Sequence, residues 1–212
     1  MHMRKCRYCK LELPQAKLSD KYQKAGFCDV DHMSTYAYEK AIANREKAAR
    51  KKLRADKERE REFKKNDLGY QHALTQKSFN KMRRLEEIIW YRERGLEPEC
   101  ISCGGNKKDW CCGHFATVGS SPEWRYSRAN TKLQCNFNCN KNRSGNINGN
   151  KTTRGYKQGL IDRFGANEGV FIIYCCENSK MSKKWGSEEL IEMRKSFNKL
   201  TRSLELKLDA YN

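Results

Sequence analysis

The chain has 212 residues, of which 37% are hydrophobic and 33% charged, so any apolar core is small for the length. Lysine and arginine total 44 against 26 acidic residues, and the formal charge of +18 repels itself unless a polyanion is present. Nucleic acid is therefore the leading partner and an anionic membrane surface the competitor. The membrane is disfavoured, because no apolar run approaches the roughly 20 residues needed to span a bilayer. The start MHMRKCRYCK carries no signal-peptide apolar stretch. A protein kept in the reducing cytoplasm is expected, where eleven cysteines point to metal rather than disulfides.

In chain order, residues 1–35 read as a small zinc module, 36–76 as a basic helical linker and 77–212 as the remaining domain. In the first, Cys6-x-x-Cys9 and Cys28-x-x-x-His32 supply three thiolates and an imidazole, a set suited to tetrahedral zinc. The alternative is free thiols with a surface histidine. Tyr38 to Lys65 is almost wholly Ala, Glu, Lys and Arg, without an apolar stripe through its middle. It reads as a long exposed helix or a partly frayed linker, acting as a spacer or riding along DNA phosphates. Asn66 to Gln76, with Gly69, reads as a break. A second helix follows with Met82, Leu85, Ile88 and Ile89 on one face, ending near Gly95 and Pro98.

From Cys100 to Asn150 the chain is rich in Gly, Asn, Ser and Cys, which is loop and hairpin chemistry in need of a staple. Cys100-x-x-Cys103 and Cys135-x-x-x-Cys139 offer a second, all-thiolate zinc site, with the glycines after Cys103 permitting a knuckle turn. Cys111, Cys112, Cys175 and Cys176 fall outside both patterns and read as small buried apolar residues. A short helix is expected around Tyr156–Phe164 and a strand at Val170–Tyr174. A final helix is N-capped by Ser187, with a stripe of Leu190, Met193, Phe197, Leu200, Leu204 and Leu208. That stripe suits an intramolecular core better than a coiled-coil seam.

Gly113-His114-Phe115, Asn130 through Cys135, and Cys139-Asn140 through Asn146 resemble the HNH, or His-Me finger, nucleases, in which a four-cysteine zinc site braces a ββα-metal hairpin and helix. More closely, these motifs, with Leu160 through Gly165 and the Trp185-led helix, resemble the NinG/Rap family of lambdoid phages, recombination endonucleases acting on branched DNA. The resemblance implies an α+β, zinc-stabilised fold, a treble-clef/ββα-metal core with flanking helices. It implies metal-dependent cutting of branched double-stranded DNA in a phage-infected or lysogenic bacterium, with a homodimer suited to a symmetric junction.

Carried over by position, His114 is the general base, Asn130 holds its imidazole, and Arg143 offsets charge in the transition state. Asn140 helps hold a catalytic Mg2+ or Mn2+. The family leads one to expect an Asp three residues before that histidine, where this chain has Cys111, a soft ligand that suits Mg2+ poorly. The cation then falls to Asp109, or to Asn140 with Asn142 or Asn146, or is held weakly. A zinc-finger DNA-binding protein that has lost its catalytic metal site is the main alternative, and an RNA-binding zinc protein the weaker one.

Overall fold

The computed structural model describes residues 4–13, 21–141, 146–178 and 183–211. The fold is mostly helical with one two-stranded sheet. The chain divides into two compact units, Met1–Phe63 and Lys64–Asn212. In the first, the Cys6–Lys10 turn is closed by Lys10 N donating to the Cys6 carbonyl and Cys6 N to Leu11. A short helix, α1 (Lys21–Lys24), leads to Gly26, whose φ of +89° lets its carbonyl accept from Arg7 N. Asp29 caps α2 (Val30–Asn66), its Oδ1 accepting from His32 N at 2.7 Å, so His32 stands on the first turn of that helix.

Helix α2 is continuous over 37 residues and buries none of them. At 1.5 Å per residue it is about 55 Å long. Its basic middle is therefore one exposed helix rather than a frayed linker. The expected break at 66–76 shrinks to Asp67 alone, which accepts from Tyr70 N and caps α3 (Leu68–Arg92). Gly69 is carried inside the first turn, where propensity matters least. Helix α3 ends as the sequence suggests: Gly95 takes φ +65°, and Leu96 N reaches back to the Tyr91 carbonyl.

Strands β1 (Trp110–His114) and β2 (Thr131–Cys135) pair antiparallel, Trp110 opposite Cys135 and His114 opposite Thr131. A π-helical turn (Asn136–Lys141) leaves β2, and α4 (Gly155–Asn178) and α5 (Ser187–Asp209) follow. The expected strand at Val170–Tyr174 is instead the second half of α4, after a kink at Gly165. The two-stranded sheet takes no third strand, so helical hydrogen bonds satisfy this backbone, and Ile172, Ile173 and Cys176 pack on Ile101, Tyr156 and Leu160. Gly186, not Ser187, sits at the N-cap of α5, and the Ser187 hydroxyl donates to the Asn66 carbonyl. Phe197, Leu200 and Leu204 pack on Phe79, Met82 and Cys112, so the α5 stripe is intramolecular core.

A buried polar network joins these layers. Glu87 on α3 takes Arg83 Nη2 at 2.7 Å, Arg163 Nη1 of α4 at 2.6 Å and the Leu133 N–H of β2 at 3.1 Å. Arg83 also donates to the hydroxyl and carbonyl of Thr131, while the Arg163 guanidinium lies 3.8 Å from the Trp90 ring centre. Burial raises the pKa of Glu87, but Arg163, Arg83 and Lys132 outweigh it and hold the carboxyl below its ordinary value of 4.5. A depressed folded-state pKa gives stability that is complete above 4.5 and lost as pH falls through the folded value. The urea midpoint should therefore be level near neutral pH and drop on the acid side of about pH 4.5. Glu87→Gln, which strands the buried Arg163 guanidinium and leaves Arg83 with Glu86 alone, should cost about 3–5 kcal/mol and flatten that acid limb. A variant as stable as the parent would refute the network's role.

Candidate active site and metal centres

Two groups of side chains converge as metal sites do. Cys6, Cys9, Cys28 and His32 bring their ligand atoms within 4.8 Å of one another, as do Cys100, Cys103, Cys135 and Cys139. Sulfur separations decide between a disulfide and a metal. Cys9 to Cys28 is 3.5 Å and Cys103 to Cys135 is 3.9 Å, whereas a disulfide needs ~2.05 Å. A tetrahedron of Zn–S bonds near 2.3 Å has an edge of about 3.8 Å, which these distances match. All eleven cysteines are free thiols.

Each site is assembled from local turns. In the second, Cys100 and Cys103 flank a knuckle closed by Gly104 N donating to the Cys100 carbonyl, with Gly104 at φ +70°. Cys135 ends β2 and donates its N–H to Cys100 Sγ at 3.3 Å, and Cys139 lies one turn further on. Helix α4 backs the knuckle. Gly159 lets it approach so closely that a Cβ there would sit 1.7 Å from the Ile101 carbonyl oxygen. Arg154, held by Glu99 and Asp162, donates to the carbonyls of Cys100 and Ile101. Among the described residues, Cys111, Cys112, Cys175 and Cys176 form no third group; Cys112 and Cys176 are buried in core clusters.

His114 ends β1, half-buried, at the edge of the loop 115–130. Its Nε2 lies 3.1 Å from the Arg125 carbonyl, which can only accept, so Nε2 carries the proton and the neutral ring's lone pair is on Nδ1. Burial pushes its pKa below the usual 6.5, only partly offset by the carbonyls of Arg125 and Cys112, which favours the neutral ring. Asn130 is fully buried and clamps the loop rather than the ring. Its Oδ1 accepts from Ala116 N at 2.7 Å, and its Nδ2 donates to the carbonyls of Ala116 and Trp124. Trp124 adjoins Arg125, so Asn130 reaches the imidazole through the backbone. The hairpin thus brings His114 and Asn130 together.

The expected cation ligands are placed otherwise. Asp109 precedes β1, five residues from His114 and roughly 16 Å along an extended strand. Its Oδ2 accepts from Phe137 N at 3.1 Å, starting the π-helical turn that carries Cys139. The structure does not bring Asp109 to His114. Cys111 lies on the opposite face of β1 from His114 and donates to the Gln134 carbonyl, so a carboxylate there would not face the imidazole either. Asn140 follows Cys139 in the π-helical turn, half-buried. Asn142 and Arg143 lie outside the described residues. Sequence reasoning passed over Arg125, whose carbonyl sets the imidazole, and Lys132, which burial pulls down to about 8 against the opposing pull of Glu87.

Metal analysis should find two zinc ions per chain, and Cys139→Ser should lose one of them. An undiminished content in that variant would contradict the four-cysteine site. Comparison with known proteins places the chain. A profile described as "Bacteriophage Lambda NinG protein" matches residues 1–207. "Protein ninG" of Escherichia phage 933W is 26% identical over 204 residues, covering 95% of this chain and 93% of that one, and that of Enterobacteria phage VT2-Sa matches equally. "Protein ninG" of Escherichia phage lambda is 31% identical over 114 residues, 53% of this chain and 50% of that one. No solved structure matches. The chain belongs to the bacteriophage lambda NinG protein family.

Proposed function

We propose that the protein is a metal-dependent endonuclease for branched double-stranded DNA, with an HNH-like core made of the zinc knuckle, the β1–β2 hairpin and the turn after it. The observation that carries this reading is the His114 imidazole, held by the Arg125 carbonyl at the end of a hairpin that carries two of four converging cysteines. In phosphodiester hydrolysis, Nδ1 of His114 takes a proton from the attacking water. The carbonyls of Arg125 and Cys112 then favour the protonated ring. Asn130 holds the loop so that the ring does not turn. A divalent cation would supply Lewis-acid stabilisation of the phosphate, and Asn140 is the described residue to which the resemblance assigns it. The preference for branched DNA rests on the resemblance to the NinG/Rap recombination endonucleases. The charge of +18 supports a polyanionic substrate.

One observation favours a second reading, a zinc DNA-binding protein without catalysis. Among the described residues, no group of three His, Cys, Asp or Glu side chains forms around His114. Cleavage of four-way junctions with Mg2+ or Mn2+ separates the two. The nuclease reading expects wild type to cut, with a rate that climbs through a pKa below 6.5, and His114→Ala to bind without cutting. A wild type that binds but never cuts supports the second reading, and full activity in His114→Ala removes the role of the imidazole.

Lys47, Arg50, Lys51, Lys52 and Arg54 are exposed on α2 and suit phosphate binding. Replacing several with Gln should weaken binding to all DNA alike and flatten the salt dependence by about 0.9 in slope for each phosphate no longer neutralised. An unchanged slope would make α2 a spacer alone.

A further inference from the structure

Arg125 directs its main chain and its side chain at the same place. Its carbonyl accepts the His114 Nε2 proton at 3.1 Å, so the residue and the imidazole are fixed together. Its guanidinium reaches the Tyr126 hydroxyl and lies close enough to His72 and His114 to disfavour a positive charge on either ring. Its Nε is buried and has no hydrogen-bond partner among the described residues. On the other side, His72 of α3 places Nδ1 3.0 Å from the Tyr126 hydroxyl, with the two rings 13° from parallel. Arg83, Arg154 and Arg163 of the same unit each face a carboxylate. Among the described residues, no salt bridge to Arg125 is found, and its Nε is unpartnered. The Tyr126 hydroxyl donates to the His72 carbonyl and His114 Nε2 to the Arg125 carbonyl, so the guanidinium is the group left to meet a phosphate oxygen, with the His72 ring beside it.

We infer that Arg125, with His72 and Tyr126 beside it, forms a phosphate-binding subsite that seats a backbone phosphodiester next to His114. The inference rests on the reading above for the identity of the chain that carries the phosphate. Such a subsite would seat a phosphate beside the residue that orients the His114 ring.

The test follows the histidine ring nitrogens of the zinc-loaded full chain by NMR during titration with thymidylyl-thymidine, with inorganic phosphate as a second arm. The rings of His72 and His114 should shift together along one saturating curve, for both probes. Arg125→Gln should weaken that binding about tenfold or more, with zinc content and thermal midpoint kept. Tyr126→Phe, which spares the main chain, should weaken it about threefold. Wild-type rings that respond to neither probe overturn the subsite, as does undiminished binding in Arg125→Gln. Should Arg125→Gln not fold, undiminished binding in Tyr126→Phe overturns it equally. A wild type whose rings respond but which cuts no DNA loses the nuclease reading and keeps the subsite. One that cuts while both rings stay silent loses the subsite alone.

Discussion

Four cysteine sulfurs at one end of a two-stranded ribbon determine what the rest of the larger unit can do. An isolated hairpin of two five-residue strands is marginal in water. Here Cys135 closes β2, Cys139 closes the turn after it, and the knuckle of Cys100 and Cys103 joins both from another part of the chain. Metal binding at such a site is folding free energy, since the ligands do not converge in the unfolded chain. The strand register then transmits that constraint to the far end of the ribbon, where His114 stands opposite Thr131.

The flank of the ribbon is held by a different device. Glu87 gathers Arg83, Arg163 and the Leu133 amide, so one carboxylate ties α3, α4 and β2 together in the interior. Removing either partner of such a group leaves an uncompensated buried charge, which makes the arrangement unforgiving of substitution. The hairpin is therefore fixed at its base by sulfur and along its side by ion pairs. The loop between the strands is clamped by Asn130.

Legibility in the sequence followed the range of each interaction. Both cysteine sets could be read because each ligand pair lies within one turn, and the α5 stripe because helical periodicity is local. The Glu87 network could not. Arg83 and Glu87 look like an ordinary surface pair four residues apart, and nothing near Arg163 announces that it meets them. Val170–Tyr174 has β-forming residues, yet its backbone finds no strand to pair with and stays helical. That His114 and Asn130 share one hairpin was legible through family motifs. Arg125 was not, because its contribution to His114 is a carbonyl, which every residue has. Asp109 drew attention as a carboxylate near a histidine in sequence, but strand extension separates them and the carboxylate caps the π-helical turn instead.

Under the proposed function, sulfur ligation at one end of the ribbon fixes the imidazole at the other, a claim that amide hydrogen exchange tests by comparing zinc-loaded with chelator-stripped protein. Stripping should abolish protection at Thr131 to Cys135 and at the Phe115 amide that bonds the Asn130 carbonyl, while the middle of α2 exchanges as before. Equal protection of those amides with and without zinc would contradict the claim.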